Sequence, residues 1–218
     1  MTREERLERL RAARLYFVCE GLPGGGPPDE LLAAALRGGA DLVQLREKAP
    51  RCAEELIALS EPFRRAADAH GALFILNDRP ELVAECRADG VHVGQDDVPV
   101  AEARGAAGPD ALVGLSTHSP EQIEAACIAE GNARPDQISV GPVWETPTKE
   151  GRPATGLTLV RDAAERATIP WFAIGGIDPG NVGEVVAAGA ERAVVVRAIR
   201  DAANPEAAAR ELREALGG

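Results

Sequence analysis

A short loop beginning at residue 146 concentrates groups that suit a phosphate. Thr146, Thr148 and Lys149 place two hydroxyl groups and an ammonium group within four residues, shortly after an apolar stretch. Hydroxyl and ammonium donors match the anionic oxygens of phosphate esters. Pro142 and Pro147 restrict the backbone around them and pre-shape the loop. A polar surface turn has a similar composition, so the other candidate residues decide how this loop is interpreted.

A second polar group follows the apolar run Leu42–Leu45. Period-two alternation places Gln44, Arg46 and Lys48 on one face of an extended strand. Two cations and an amide group on one face suit a polyphosphate, although a solvated strand end has the same pattern. This segment predicts a diphosphate site if its neighbours supply matching groups.

Amide and acidic groups follow the next two apolar runs. Asn77 and Asp78 end one run, and Asp96 and Asp97 follow the other. Two carboxylates beside cationic phosphate binders predict Mg²⁺, held partly by Asp78 and Asp97 and partly by diphosphate, with Asp96 as the competing neighbour. Capping of a helix is the alternative role for Asp78 and Asp97, because each precedes a proline-led segment.

The later apolar runs also end in polar or small residues. Ser116 follows one run, Gly176 another, and Val196 and Arg197 the last. Glycines and backbone N–H groups at the last two positions match the general phosphate site of α/β barrels. The cysteines lie outside these segments, so no nucleophile–base pair is evident. The pattern indicates a transfer reaction in which diphosphate leaves and a second phosphorylated substrate attacks.

Eight apolar runs alternate with Ala/Leu/Glu-rich segments and must position these residues. The predicted strands are 15–19, 42–45, 73–76, 90–93, 112–115, 137–140, 171–174 and 193–196. The predicted helices are 29–37, 51–69, 80–87, 100–106, 120–129, 157–167, 179–188 and 205–216. Eight βα units predict one (β/α)8 TIM barrel over 15–218, preceded by a helix within 1–14, as a single domain over 1–218. An open doubly wound sheet is disfavoured, because no G-x-G-x-x-G follows the first strand.

Prolines and glycines set the expected ends of these elements. Ser119 before Pro120 and Asp178 before Pro179 predict helices that begin at the two prolines. Similar short segments at 38–41, 87–90 and 188–191 precede strands, and they predict left-handed glycines at helix ends. The carboxyl ends of all strands meet at one mouth of a barrel, so the polar groups above should converge there.

The overall composition excludes several classes of protein. Of 218 residues, 45% are hydrophobic and 27% charged, which is typical of soluble globular proteins. A formal charge of −11 argues against nucleic acid as a partner. The first residues lack a signal-peptide core, and no apolar run is long enough to span a membrane. Small phosphorylated molecules are therefore the expected partners, and the sequence leaves open whether the chain forms a homo-oligomer.

The cysteines and histidines argue against a zinc site. The four cysteines lie more than thirty residues apart and form no C-x-x-C pair. They are interpreted mainly as buried free thiols, which predicts a reducing, cytoplasmic setting. His92 lies within a strand and is interpreted as a hydrogen-bonded core residue. His118 is an acid–base candidate, but it directly precedes a capping residue and could equally be exposed to solvent.

Taken together, these segments resemble the thiamine phosphate synthase family over almost the whole chain. The most specific pieces are Q-L-R-E-K at 44–48, N-D at 77–78, G-V-H-V-G-Q-D-D at 90–97, T-P-T-K at 146–149 and I-G-G-I at 174–177. The resemblance implies condensation of 4-amino-2-methyl-5-hydroxymethylpyrimidine diphosphate with 4-methyl-5-(2-phosphoethyl)thiazole. Thiamine phosphate and diphosphate would be the products.

The resemblance also implies roles for individual residues. The implied pyrimidine-diphosphate ligands are Gln44, Arg46, Lys48, Asn77, Ser116 and Lys149, of which Lys149, Arg46 and Ser116 are expected to be catalytic. One Mg²⁺ ion per site is implied at Asp78 and Asp97. The implied thiazole-phosphate contacts are Thr146, Thr148, Gly176, Val196 and Arg197. The implied mechanism is dissociative: diphosphate leaves a pyrimidine-methyl cation, which the thiazole nitrogen captures.

Arg197 departs from the family pattern, in which a small hydroxyl residue is common at this position. Its guanidinium would either contact the phosphate or turn outward, where it would point into solvent or pair with a carboxylate such as Glu191. Because backbone N–H donors already suffice for binding, the outward position is favoured. A thiazole tautomerase-like enzyme and a non-catalytic phosphate-binding paralogue are the alternative functions, but neither needs Asp78, Asp97 and Lys149 together. A sugar-phosphate isomerase barrel would need a catalytic carboxylate or Lys–His pair inside the barrel, for which the sequence offers no good candidate.

Overall fold

The computed structural model describes residues 1–146 and 153–217. Within these ranges, eight parallel strands form a closed barrel in chain order. The strands are β1 Leu15–Cys19, β2 Leu42–Leu45, β3 Leu73–Asn77, β4 Gly90–Val93, β5 Leu112–Thr117, β6 Gln137–Val140, β7 Trp171–Ile174 and β8 Ala193–Val195. The last strand closes on the first, with Ala193 opposite Leu15 and Val195 opposite Phe17. The predicted (β/α)8 barrel is confirmed.

Helices surround the barrel and connect its strands. In the described residues they are α1 Arg3–Ala12, α2 Asp29–Arg37, α3 Ala53–His70, α4 Val100–Ala107, α5 Pro120–Ile128, α6 Gly156–Arg166, α7 Val182–Ala187, α8 Arg197–Arg200 and α9 Pro205–Ala215. As predicted, α5 begins at Pro120, and the Ser119 side chain accepts a hydrogen bond from the Gln122 N–H. None of the helices described has the length and apolarity that a bilayer crossing requires.

The core has two layers because the strands are buried on both faces, as parallel strands in a barrel are. An inner cluster fills the barrel with Tyr16, Leu42, Leu73, Leu112 and Phe172, all at most 2% exposed. Tyr16 and Phe172 meet edge to face, with ring centroids 5.6 Å apart. The outer layer packs the other strand faces against the helices and contains most of the buried aliphatic residues.

The N-terminal helix α1 closes the bottom of the barrel. Leu10, which is 1% exposed, belongs to the inner cluster. Arg3 Nη2 lies 2.5 Å from Asp136 Oδ1, and Arg6 Nε lies 3.0 Å from Asp89 Oδ1. Asp136 and Asp89 stand just before β6 and β4, so α1 is tied to the amino ends of the strands. The opposite end of the barrel stays open.

Two predicted helices differ from the structure. The segment after β3 forms a 3₁₀ turn, Pro80–Leu82, instead of a helix over 80–87. Arg87 has φ +51°, a left-handed conformation that ends the segment before β4. The helix expected at Pro179 begins only at Val182, because the Asp178 side chain accepts bonds from the N–H groups of residues 180 and 181 and holds a turn there.

Two further differences concern residues 87–90 and one short helix. Gly39 and Gly189 have positive φ, as predicted, at +100° and +103°. In the segment 87–90, however, Arg87 takes the left-handed conformation and Gly90 begins β4. The short helix α8 was not expected and places Arg197 at its first position. Cys19, Cys86 and Cys127 are buried free thiols, while Cys52 is exposed.

Candidate active site

The carboxyl ends of the strands surround a cavity of about 370 Å³. The predicted site residues that line it are Gln44, Arg46, Asn77, Ser116, Thr146, Gly176, Val196 and Arg197. A smaller cavity of about 150 Å³ shares Arg46 and Arg197 with it and is also lined by Lys48. The convergence of both predicted phosphate-binding groups at one mouth therefore matches the expectation from topology.

Gln44 lies on the wall formed by β1 and β2. Its Nε2 donates to the Tyr16 hydroxyl across 2.5 Å, and the Gln44 side chain is buried. Burial raises the pKa of Tyr16, so the phenol stays protonated and neutral. The Gln44 amide is thus held in one orientation on the cavity wall.

Ser116 lies on β5 and is held by a buried histidine. Ser116 Oγ is 3.0 Å from His92 Nε2, and His92 Nδ1 is 3.0 Å from Gln137 Nε2. Ser116, His92 and Gln137 are 6%, 7% and 4% exposed. His92 is hydrogen-bonded, as expected, but it also lines the cavity. Its side chain therefore belongs to the wall of the site as well as to the core.

The carboxylates of Asp78 and Asp97 meet above β3 and β4. Burial, together with the charge and hydrogen bond of Asp97, raises the pKa of Asp78 to about 6. Asp97 Oδ2 accepts from the Gly94 N–H at 2.7 Å, and Asp78 has φ +60°. Neither aspartate caps a helix, since Pro80–Leu82 and α4 both begin without a side-chain cap.

The oxygen donors of this aspartate pair fit Mg²⁺. The ion is usually held by one or two carboxylates and completed by substrate phosphates and water. Among the residues described, no group of three or more His, Cys, Asp or Glu side chains could hold a metal alone. A pair of close carboxylates beside Arg46 is therefore suited to an ion that arrives with a diphosphate. Asp96 belongs to the same turn, and both Asp96 and Asp97 are exposed.

The loop after β6 is fixed to the end of β7. The Val143 N–H donates to the Ile174 carbonyl at 2.8 Å, and the Trp144 N–H donates to the Gly175 carbonyl at 3.1 Å. Gly176 has φ +69°, and a Cβ there would lie 2.8 Å from Trp144 Cβ. Only glycine allows this close approach, which brings Thr146 and the Gly176 backbone to the same cavity.

Three cations at the mouth lack a carboxylate ion-pair partner among the described residues. Arg46, Lys48 and Arg197 form none there, whereas Arg200 pairs with Glu20 at 2.7 Å. Glu191, the carboxylate suggested for an outward-facing Arg197, is not its partner. That carboxylate lies 2.7 Å from Arg14 Nη1 and 3.6 Å from Arg192 Nη1. Arg197 instead lines both cavities.

Several remaining candidates lie apart from the cavity wall or outside the description. His118 Nδ1 is 2.5 Å from the Gly141 carbonyl, and His118 is not among the residues that line the cavity. This contact ties β5 to the β6 loop. Thr148 and Lys149 lie outside the described residues, so their predicted roles stay predictions.

Sequence reasoning missed Tyr16 and Gln137, and it interpreted His92 only as a core residue. The available signal was a polar residue at an inward position of a buried strand. Inward positions alternate along each strand, so Gln44, His92 and Ser116 share one face of the barrel interior. A polar side chain at such a position needs a partner or a ligand.

Comparison with known proteins agrees with this site. The sequence profile of the thiamine monophosphate synthase family matches residues 15–199. The chain is 53% identical over 209 residues to a thiamine-phosphate synthase from Thermus thermophilus, covering 94% of this chain and 98% of that protein. It is 50% identical over 210 residues to one from Thermobifida fusca, covering 96% and 94%.

Among solved structures, a thiamine phosphate pyrophosphorylase from Pyrococcus furiosus superposes with a TM-score of 0.81. The two chains are 30% identical, and the match covers 97% of each. The sequence match extends across every strand that contributes to the cavity. The chain belongs to the thiamine monophosphate synthase family.

Proposed function

We propose that this protein condenses 4-amino-2-methyl-5-hydroxymethylpyrimidine diphosphate with 4-methyl-5-(2-phosphoethyl)thiazole to give thiamine phosphate and diphosphate. One observation carries the proposal within the family. One cavity brings together Arg46, Arg197 and a glycine-lined loop, and the charges of Asp97 and Arg46 both act on Asp78 at its rim. A diphosphate with its metal and a second phosphate ester would neutralise all of these groups at once.

The diphosphate half of the site is proposed to stabilise the leaving group. Arg46 and Lys48 would donate to the diphosphate oxygens, and Lys149 would add a third positive charge. Mg²⁺ bound by Asp78 and Asp97 would supply charge neutralisation of the diphosphate. Preorganised charges at the leaving group lower the barrier to breaking the C–O bond, since they need no reorganisation as charge develops.

The pyrimidine half of the site is proposed to orient the ring. Gln44 and Asn77 would hydrogen-bond the pyrimidine diphosphate, and Ser116 would meet it near the reacting side. The walls beside them are mainly apolar, so they would exclude water from the pyrimidine-methyl cation. A dissociative reaction needs no protein base, which agrees with the role of His118 as a tie to Gly141.

The thiazole phosphate is proposed to bind on the opposite wall. Thr146 and Thr148 would donate their hydroxyl groups, and the backbone of Gly176, Val196 and Arg197 would supply N–H donors. The N-terminal residues of α8 face the same cavity. This arrangement would set the thiazole nitrogen towards the carbon that loses diphosphate.

Incubation of the purified protein with both substrates and Mg²⁺ tests the function. Thiamine phosphate and diphosphate should form in equal amounts, and excess chelator should stop the reaction. Conversion of a thiazole tautomer without the pyrimidine substrate would indicate a tautomerase instead. Binding of both phosphates without turnover would indicate a non-catalytic paralogue.

Lys149→Ala tests the proposed charge on the leaving group. We expect kcat to fall by about 10²–10³, the usual effect of removing one preorganised electrostatic contact. Thr148→Val should act mainly on the KM of the thiazole phosphate. A rise in thiazole KM with an unchanged kcat for Lys149→Ala would assign Lys149 to the other substrate.

The protein would work in the cytoplasm as one domain over residues 1–218, on small phosphorylated substrates and without nucleic acid or membrane. Three buried free thiols agree with a reducing setting. Light scattering would determine whether it forms a homo-oligomer.

A further inference from the structure

Gln137, His92 and Ser116 form a hydrogen-bonded row across three neighbouring strands. His92 on β4 is the register partner of Gly114 on β5, and Gly114 is the partner of Gln137 on β6. The Gln137–His92 bond therefore passes over Gly114 inside the barrel. A Cβ at Gly114 would lie 2.1 Å from Gln137 Nε2 and 2.6 Å from His92 Nδ1. Only a residue without a side chain leaves room for this bond.

The amide of Gln137 sets the position of the histidine proton. An amide nitrogen only donates, so Nδ1 of His92 must accept from Gln137 Nε2 across 3.0 Å. A neutral imidazole carries one proton, which then lies on Nε2. This Nε2–H donates to Ser116 Oγ across 3.0 Å. The hydroxyl hydrogen of Ser116 consequently points away from His92.

The Gln137 side chain makes this bond at a cost. Its Oε1 atom is buried and has no hydrogen-bond partner among the residues described. Within the same part of the chain, the bond to His92 is the one hydrogen bond of its side-chain amide. A half-satisfied buried amide is unfavourable in a core, where an aliphatic side chain would pack without loss. Such a group calls for a functional explanation.

We propose that Gln137 is a positioning residue that keeps His92 protonated at Nε2, so that Ser116 offers its hydroxyl hydrogen to the pyrimidine diphosphate. The inference rests on the proposed function, in which Ser116 meets that substrate. Gln137 acts through His92 and does not line the cavity. The opposite tautomer would make His92 Nε2 an acceptor and turn the Ser116 hydrogen away from the substrate.

Nitrogen-15 NMR of the histidine rings reads the tautomer directly. The chain has three histidines, so a His92→Asn sample assigns the signals of interest. In the wild-type protein we expect His92 Nδ1 to be unprotonated and Nε2 to carry the proton. A wild-type spectrum with the proton on Nδ1 would overturn the proposal, whatever the variants do.

Two substitutions of similar size extend the test. Gln137→Leu removes the donor, and Gln137→Glu replaces it with a carboxylate that only accepts, so both should move protonation towards Nδ1. For Gln137→Leu we expect kcat/KM for the pyrimidine substrate to fall about ten- to a hundredfold, the range for one misdirected buried hydrogen bond. The KM of the thiazole phosphate should stay within about twofold, well below the effect of one lost hydrogen bond.

Gln122→Glu is the matched control. Gln122 Oε1 accepts from the His118 N–H at 2.7 Å, and a carboxylate retains that role. Its activity and His92 spectrum should match the wild type. Gln137→Leu with a wild-type spectrum and full kcat/KM would refute the positioning role. An inactive wild-type protein with the expected tautomer would instead contradict the proposed function and leave the tautomer assignment standing.

Discussion

At the N-terminal end of the barrel, arginines meet buried aspartates, whereas at the C-terminal end Arg46, Lys48 and Arg197 form no ion pair among the described residues. Asp136 lies 2.5 Å from Arg3 Nη2 and 3.2 Å from Arg104 Nη1. At the other end, Arg46 lines the cavity without an ion pair in the described structure, and Asp78 lies against another carboxylate. The closed end neutralises its charges within the protein. The open end leaves them to ligands.

This difference separates stability from function. Removing one member of a buried ion pair is strongly destabilising, because the other member is left buried without a partner. A crowded or unpaired charge at a cavity weakens the free protein and strengthens the complex. Substitutions at the closed end should therefore change the free energy of unfolding. Those at the open end should change kinetics.

Asp89→Ala should give the largest effect on stability. Asp89 Oδ2 accepts from Arg64 Nη1 at 2.9 Å and from the Phe74 N–H at 3.0 Å. Both donors would be left buried, so we expect the free energy of unfolding to fall by about 3–5 kcal/mol. Urea denaturation measures this loss. At a temperature where the variant stays folded, kcat should be unchanged.

Asp68→Ala is the control for this change. Asp68 also pairs with Arg64, at 2.9 Å, but its side chain is 65% exposed. Exposed pairs contribute at most about 1 kcal/mol. Equal losses for the two variants would contradict the view that burial makes the closed end important.

Asp78→Asn should affect the open end in the opposite sense. We expect kcat to fall about 10²–10³, as for loss of one preorganised charge in the site, with partial recovery at higher Mg²⁺. The free energy of unfolding should stay the same or rise, because a repulsion with Asp97 is removed. Steady-state assays over a range of Mg²⁺ and urea denaturation check both parts.

Asp97→Asn should behave in the same way, whereas Asp96→Asn should retain most of the activity. An equal loss of activity in Asp96→Asn would show that the metal has been assigned to the wrong one of these two neighbours. Full activity in excess chelator would show that the reaction does not need a metal ion.

Arg197→Ser should have a smaller effect, confined to one substrate. Glu191 pairs with Arg14, and Arg197 is among the residues that line both cavities. Loss of a charge-assisted contact should raise the KM of the thiazole phosphate about ten- to a hundredfold. Values of kcat and pyrimidine KM should change little. Initial-rate kinetics with each substrate varied in turn give all three constants.

Arg210→Ser, which removes a pair with Glu206 on α9, is the control. A change under twofold would place the Arg197 side chain outside the site.

Arg3→Ala should give the smallest of these effects. Asp136 keeps Arg104, and the Arg3 side chain is 31% exposed. We expect a loss of about 1 kcal/mol, which corresponds to a fall in Tm of about 2–4 °C for a chain of this size. Scanning calorimetry measures it. A fall in kcat without a fall in Tm would show that the closed end also influences the chemistry.

The comparison also explains which features the sequence could predict. Strands such as Leu42–Leu45 are buried on both faces, so continuous apolar runs mark them clearly. The closeness of Asp78 and Asp97 could be predicted from topology alone, because the two residues follow neighbouring strands of a parallel barrel. In place of the helix expected at 80–87, the segment forms a 3₁₀ turn and ends in a left-handed Arg87, for which no residue preference gives warning.

Side-chain contacts between strands were the least predictable part of the site. Gln137 is an ordinary polar residue in sequence, and its role follows only from the register that sets it beside His92. The sequence also did not reveal that Glu191 pairs with Arg14 and Arg192 instead of Arg197. Long side chains have many rotamers of similar energy, so such competition is decided by the folded neighbours.

The docking of α1 has a consequence for the order of folding. Arg9, Arg6 and Arg3 bond to groups 62, 83 and 133 residues further along the chain. A ten-residue helix is marginal by itself, so α1 gains its stability only when those partners are in place. Although α1 is synthesised before all eight strands, it must wait until the residues just before β6 have been synthesised. A helix that precedes the barrel in the chain is thus among the last elements to dock, and a nascent barrel keeps its inner apolar surface uncovered until then.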